Sequence, residues 1–319
     1  MHETLTIREV DRVEVLTLQD NYIDLVARDD NAVIQRALPV KGLEMRNSIL
    51  AEHGFASLIT VSSEDTSRCM LFDFGYSEFG AALNVDALDA DLSAVEEMAL
   101  SHGHLDHVGG IRALVEKTGK THIPLVLHPA VFRQPRFLKV SETLKFHFPP
   151  FTPENAAAAG AMVISSATPY PMLDRSALFL GQIPRTTAFE KGAPNLCCEI
   201  DGQVQPDPFD DDSAVVFNVR GRGLVVVSGC AHSGIVNTVT YARKVTGIES
   251  VLAIMGGFHL SGLDTKEVIE PTVAALKSFD PTYIVPTHCT GRQAVQLIEN
   301  AMPDRFILNM AGTKLMFSA

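Results

Sequence analysis

Four side chains able to ligate a metal fall within six positions, in the run His102-Gly103-His104-Leu105-Asp106-His107, and the chain leaves that run through Gly109-Gly110. Residues two apart in extended backbone point to the same side, so His102 and His104 share a face. A turn after Leu105 brings Asp106 and His107 round to a second point. Two adjacent metal positions can be nucleated in this way. Neutral imidazole and carboxylate suit Zn²⁺, with Fe or Mn as the other candidates, and one ion or two would fit. A loop of hydrogen-bonded surface histidines is the plainer explanation, but it gives no reason for four donors in six residues.

Of the eleven histidines, three more stand in a repeated context. His232 ends Ser228-Gly229-Cys230-Ala231-His232, after an apolar strand expected over 224–227. His259 ends Gly256-Gly257-Phe258-His259, after a strand expected over 250–255. His288 stands in Pro286-Thr287-His288-Cys289, after a strand expected over 282–285. Each lies just past the C-terminal end of its strand, where the loops of open α/β sheets gather to make sites. One such histidine would more often be a satisfied structural residue; three beside the first cluster favour a site. His122 and His147 lack this strand-end glycine context and are expected to take no part.

The rest of the pattern supports a sheet scaffold. Residues 13–18 alternate as a strand, and 56–61 with 69–74 read as a hairpin across the polar stretch 62–68. Residues 92–100 have helical spacing (Leu92, Val95, Glu96, Ala99). A short helix follows Gly109-Gly110 and ends near Gly119. Residues 125–127 form a short strand. Between 130 and 213, ten prolines leave only short pieces, with one helix-prone stretch at 155–161. That segment is too long for a plain loop and is expected to hold a lid or extra hairpins, chiefly within about 130–180. Beyond it come a hairpin of 214–219 with 224–227, helices over 235–245, 267–279 and 292–302, and a last strand over 314–317. Strands precede helices in each half. This implies two sheets packed face to face with helices outside, an α/β sandwich, as a single domain over 1–319.

Composition narrows the partners. There are 38 Asp and Glu against 26 Lys and Arg, a net charge of −12. Such a surface repels phosphate polymers, so no nucleic acid is expected. Five cysteines, an odd number with no framework spacing, argue against a disulfide scaffold. Residues 1–30 mix charges and show no apolar leader, and no apolar run approaches membrane-spanning length. A cytoplasmic setting without membrane contact is expected, and a homo-oligomer is allowed. Neither a Walker loop nor a Rossmann fingerprint occurs, which sets aside nucleotide-driven enzymes and dehydrogenases.

The run Ser101-His102-Gly103-His104-Leu105-Asp106-His107 resembles the metal signature of the metallo-β-lactamase superfamily. Leu71-Phe72-Asp73-Phe74-Gly75 resembles that superfamily's Asp-Thr-Gly turn, with Phe74 at the Thr position. A nearer match is the branch of 7,8-dihydropterin-6-methyl-4-(β-D-ribofuranosyl)-aminobenzene-5′-phosphate synthases. Its Gly-Cys-Ala-His, Gly-Gly-Phe-His-Leu and Pro-Thr-His-Cys-Thr-Gly marks stand at 229–232, 256–260 and 286–291. Glu52-His53-Gly54 and Ile183-Pro184-Arg185-Thr186-Thr187-Ala188-Phe189-Glu190 are similar too.

This resemblance implies an αββα four-layer sandwich and a metal-dependent hydrolase or transferase acting on a small, phosphate-bearing molecule. The chemistry would be attack by metal-activated water, or metal-assisted departure of phosphate or diphosphate. The superfamily's bridging Asp is replaced by Cys230, and Asp210-Asp211-Asp212 stands where an upstream histidine is usual. The expected sites are therefore His102, His104 and His232 for one ion, and Asp106, His107 and His288 for the other, with Cys230 as a further candidate ligand. Asp106 is also expected to orient the nucleophile and His259 to donate a proton and contact substrate. Arg185, Thr186 and Thr187 are expected to bind its phosphate or carboxylate, with an Arg185–Glu190 salt bridge as the competing reading. Lys191 and Arg133 are weaker candidates. Two other readings remain open: a hydrolase of a small ester, lactone, lactam or phosphodiester, and a non-catalytic metal sensor.

Overall fold

The computed structural model describes residues 4–45, 48–64 and 66–319. Residues 1–3 of the expected domain and Asp65 in the expected 62–68 turn lie outside those described. Two large sheets dominate. The first runs in the order Ala161–Ser165, Ile123–Leu127, Val95–Ala99, Thr66–Phe74, Ala56–Ser63, Arg12–Gln19, Lys314–Ser318 and Ile34–Gln35. The second runs Tyr170–Met172, Ala177–Phe179, Ala214–Val219, Gly223–Ser228, Val251–Gly257 and Tyr283–Thr287, with Glu9–Val10 pairing onto Ala214–Val219.

Side-chain alternation explains the layering. In Ala56–Ser63, Ile59 and Val61 enter the layer between the sheets while Ala56 and Leu58 face outward. In Ala214–Val219, Val215, Phe217 and Val219 face that same middle layer, and Ala214 and Val216 face outward. Both faces of each central strand are buried, so the sequence there is apolar almost without a break. Helices Gly80–Ala87, Ile111–Thr118 and Pro153–Ala158 cover the first sheet, through residues such as Val85, Leu114 and Ala156. Helices Ile235–Thr246, Glu270–Ser278 and Arg292–Ala301 cover the second, through Val239, Leu276 and Ile298. The result is the αββα sandwich, with helix, sheet, sheet and helix in turn.

Three local readings need correction. Residues 92–100 are not helical: Val95–Ala99 is a strand, parallel to Thr66–Phe74 and to Ile123–Leu127. Its two glutamates break the period-two signal, and Leu92, Val95 and Ala99 imitate helical spacing. The helix-prone stretch 155–161 is divided. Helix Pro153–Ala158 starts at a Thr152–Asn155 capping box, Gly160 turns the chain at φ 86°, and Ala161 begins a strand. The expected helix 267–279 opens instead with a π-turn, Thr265–Ile269, before Glu270–Ser278. Helix Gly80–Ala87 was not anticipated at all.

Between 130 and 213 the chain builds a smaller antiparallel sheet, Lys145–His147, Arg136–Lys139, Leu196–Ile200 and Gln203–Pro206. The strands Ala161–Ser165, Tyr170–Met172 and Ala177–Phe179 from the same stretch join the large sheets instead. Among the described residues, no helix is long and apolar enough to cross a membrane.

Candidate metal centre

The parallel parts of both sheets point their C-terminal ends at one place. Thr66–Phe74 carries Asp73 as its penultimate residue, and Val95–Ala99 runs into the Ser101–His107 segment. From the second sheet, Gly223–Ser228 delivers Cys230 and His232, Val251–Gly257 delivers His259, and Tyr283–Thr287 delivers His288. Asp73, Ala231, His259 and His288 all have positive φ, between 46° and 58°. Non-glycine residues in that region are rare, and they gather where a site over-determines the backbone.

The donor atoms form two groups. The Nε2 or Nδ1 atoms of His102, His104 and His232 lie within 4.8 Å of one another, and so do the donors of Asp106, His107, Cys230 and His288. His102 Nε2 is 3.2 Å from His232 Nε2, and the His107 ring is 4.2 Å from the His102 ring. Asp106 Oδ2 lies 3.2 Å from His288 Nε2 and 3.7 Å from His107 Nε2. Cys230 Sγ is 3.1 Å from His107 Nε2. These are the six expected ligands together with the seventh candidate.

Buried carboxylates hold the loops that carry them. Asp73 Oδ1 accepts from the Ser101 amide, and its Oδ2 accepts from the Ser101 hydroxyl and from His107 Nδ1 at 2.6 Å. Asp211 accepts from the Gly103 amide, between His102 and His104, and is paired with Arg136. Asp212 accepts from the amides of His232 and Ser233. Asp20 accepts from the amides of Asn21 and His288. Gly229 lets this happen: a Cβ there would meet Ser101 Oγ at 2.1 Å and Asp73 Oδ2 at 2.6 Å.

Does this set suit a metal ion? The Ser101 hydroxyl gives its proton to Asp73, so it can only accept from His102 Nδ1, 2.9 Å away. His102 Nε2 is then a bare lone pair aimed at His232. His107 likewise gives its Nδ1 proton to Asp73. His288 Nε2 is buried with no hydrogen-bond partner although it faces a carboxylate. Lone pairs and a carboxylate turned toward one another repel unless a cation lies among them. Outer partners of this kind fix the tautomer of ligating histidines. The donors fit a borderline transition metal.

Protonation agrees. Burial, reinforced by neighbouring imidazoles, lowers His102 and His232 well below the ordinary imidazole value. Burial takes His104 down to about 3 and His288 to about 4. Burial would raise Asp106, but His107, His288 and His53 hold it well below the usual carboxylate range. Burial also opposes a charge on His107, yet Asp73 and Asp106 outweigh it and raise its pKa. A cation at that position competes with a proton on Nε2.

A cavity of about 480 Å³ opens on the cluster, walled by Tyr76, Leu105, Phe148 and Leu196 beside the histidines. A second, of about 470 Å³, lies beyond His232 and His259 and is lined by Phe189, Lys191, Leu260 and Leu263 among others. His259 belongs to neither donor group; it is half-buried, its ring 4.2 Å from that of His232, and it walls both cavities.

Other expected residues are turned elsewhere. Arg185 donates to the carbonyls of Pro208 and His232. Thr186 donates through its amide and hydroxyl to Asn237 Oδ1, and the Thr187 hydroxyl donates to Glu190. Glu190 in turn caps helix Ile235–Thr246 by accepting from the Val236 and Asn237 amides. Arg133 pairs with Asp207 and Asp210. His122 and His147 are exposed and belong to neither donor group. Sequence reasoning gave no role to Asp20, Asn21, His53, Asp211 or Asp212, and quoted Asp73 only as part of a motif. His53 stood only in the Glu52-His53-Gly54 motif and Asp211 and Asp212 only in the run Asp210-Asp211-Asp212, while Asp20 and Asn21 had no signal beyond following an apolar strand.

The chain belongs to the metallo-β-lactamase superfamily: the family model matches residues 51–244, more than half of its length. It is 27% identical over 324 aligned residues to 7,8-dihydropterin-6-methyl-4-(β-D-ribofuranosyl)-aminobenzene-5′-phosphate synthase of Methanocaldococcus jannaschii, covering 98% of this chain and 99% of that one. An uncharacterised protein of the same organism is 29% identical over 252 residues, 77% of this chain and 86% of its own. Among solved structures, Tm1679, described as a metal-dependent hydrolase of the β-lactamase superfamily, superposes with a TM-score of 0.71. It is 22% identical and covers 96% of this chain and 100% of its own, a likeness of fold.

Proposed function

We propose that this protein is a metal-dependent enzyme acting on a small, phosphate-bearing molecule, with chemistry like that of the dihydropterin-linked synthase it resembles along nearly its whole length. The observation that carries the reading is the pair of donor groups, buried at the strand ends and facing one open cavity. His102, His104 and His232 would hold one ion, and Asp106, His107 and His288 the other, with Cys230 beside the second. Zinc is the ion favoured by the imidazole-rich set, with Fe or Mn as alternatives. When bound, the metal supplies Lewis acidity, polarising a phosphoryl oxygen and acidifying water.

The chain's own residues do the rest. Asp106 faces the cavity and can orient an attacking group by accepting its proton. His259, free of the donor groups, is placed to give a hydrogen bond to a departing oxygen. Phe148, Leu196 and Tyr76 exclude water from one side. Arg185, Thr186 and Thr187 serve this reading only indirectly, by holding the His232 loop.

A second reading has an observation of its own. No lysine or arginine lines the cavity at the cluster among the described residues. That favours hydrolysis of a neutral ester, lactone or lactam over capture of a phosphate group. The test is metal content by elemental analysis together with a screen of phosphodiester, diphosphate, lactone and lactam substrates. Two equivalents of zinc with diphosphate release support the first reading. Turnover of neutral substrates alone supports the second. Well under one equivalent of metal after metal-supplemented expression overturns both.

A further inference from the structure

One exposed amide, that of Asn21, lies between two histidines at the rim of the cavity. The Gly54 amide donates to Asn21 Oδ1 at 3.2 Å, and Asn21 Nδ2 donates to the His288 carbonyl at 3.1 Å. A backbone N–H can only donate and a carbonyl can only accept, so these two bonds fix which end of the amide is which. His288 Nδ1 is 3.1 Å from Asn21 Oδ1. It must carry a proton, which leaves its Nε2 bare. His53 Nδ1 is 3.1 Å from Asn21 Nδ2, a donor. It must be unprotonated, which puts the proton of neutral His53 on Nε2, 3.4 Å from Asp106 Oδ2.

We propose that Asn21 sorts two neighbouring histidines into opposite tautomers, making His288 a metal ligand and His53 a positioning residue that donates to the Asp106 carboxylate. All four hydrogen-bonding capacities of the Asn21 amide are used in doing so. The His53 segment is itself tied to its target: the Phe55 amide donates to the Asp106 carbonyl, and Glu52 accepts from the Ser77 hydroxyl. The rings of His53 and His288 lie 4.8 Å apart, so distance alone would not tell ligand from donor. With His107 and His288 turning lone pairs toward the metal position, His53 is the imidazole that holds Asp106 from the solvent side.

This proposal rests on the two-group metal centre proposed above, and the experiment separates the two. In ¹⁵N-histidine-labelled, zinc-loaded full-length protein, two-bond ¹H–¹⁵N correlations report which ring nitrogen is protonated. Spectra would be taken about two units above the ordinary imidazole pKa of ~6.5. The expected result is His53 protonated at Nε2 and His288 at Nδ1, with His288 Nε2 shifted by zinc. Asn21→Asp offers only acceptors, so His53 should change to the Nδ1–H tautomer while His288 does not.

In a competitive zinc titration, His53→Ala should weaken one ion by about 10–100-fold, the usual effect of removing a ligand's outer partner. His53→Gln places an N–H near the Nε2 position and should restore most of the loss, whereas His53→Asn should not. His53 found protonated at Nδ1 or bound to zinc in the wild type, or equal losses in the Ala, Gln and Asn variants, overturns the proposal. If the protein takes up no metal, the metal-centre reading falls. The same spectra on the metal-free chain then still decide whether the tautomers are opposite.

Discussion

Replacing Asp73 by Asn tests whether hydrogen bonds behind the proposed ligands set their readiness for metal. Asp73 is fully buried and accepts three protons, from the Ser101 amide, the Ser101 hydroxyl and His107 Nδ1. In Asp73→Asn the oxygen must stay opposite the Ser101 amide, so the NH₂ group falls where Oδ2 was. His107 Nδ1 then has to accept, and its proton moves to Nε2, the atom that would meet the metal. The Ser101 hydroxyl also becomes an acceptor and turns its own proton to His102 Nδ1, moving the His102 proton to Nε2 as well. One isosteric change thus reverses a ligand in each group. Loss of such an outer partner costs about 10–100-fold in affinity, or ~1.4–2.7 kcal/mol per ion. At saturating zinc the folded protein loses the same stabilisation by linkage. Without metal the charge-assisted bonds become neutral ones, a loss of only about 1 kcal/mol. Competitive zinc titration against a chromophoric chelator, with chemical denaturation in the presence and absence of zinc, reads both quantities. Asp73→Asn that binds zinc as tightly as the wild type refutes the reasoning. So would an equal loss of stability with and without metal.

Other outcomes can be stated briefly. His102→Ala and His104→Ala should each lose at least one equivalent of metal, whereas exposed His122→Ala and His147→Ala should keep it; equal loss in all four by elemental analysis would mean the centre is misplaced. His259→Ala should keep its metal and fold but lose about 10²–10⁴-fold in turnover, less on substrates with a nitrophenolate leaving group that needs no proton; steady-state rates on two leaving groups check this, and loss of metal would make His259 a ligand instead. Arg136 is 1% exposed and paired with buried Asp207 and Asp211. Arg136→Met should therefore cost about 3–5 kcal/mol in urea denaturation by leaving those carboxylates uncompensated; a cost under about 1 kcal/mol would show that the pair contributes little.

Most of the scaffold could be read from the sequence because both faces of its central strands are buried. Ala214 to Phe217 and Leu224 to Val227 are apolar for that reason, and few other structures explain such runs. The Val95–Ala99 strand was misread because Glu96 and Glu97 interrupt the pattern at the edge of the middle layer. The donor residues were legible for a different reason: histidines after apolar strands have no ready packing role. What supports them was not legible. Asp211 and Asp212 act through the amides of Gly103, His232 and Ser233, and no side-chain pattern announces a backbone donor far away in sequence. Arg185, Thr186 and Thr187 had the chemistry of an anion site, but helix Ile235–Thr246 draws their segment to its own N-terminus through Asn237 and Glu190.

The small four-stranded sheet reaches both sides of the cavity at once. Arg136, at its start, grips Asp211 and through it the loop between His102 and His104. Phe148, just past strand Lys145–His147, and Leu196, the first residue of Leu196–Ile200, join the cavity wall, and the Phe148 amide donates to the Arg136 carbonyl. An engineer who swapped this sheet for a relative's, in order to reshape the cavity, would carry off a strut of the His102–His104 loop along with the wall. If the proposed function holds, the cavity is therefore better reshaped one wall side chain at a time, at Phe148 or Leu196, than by exchange of whole modules.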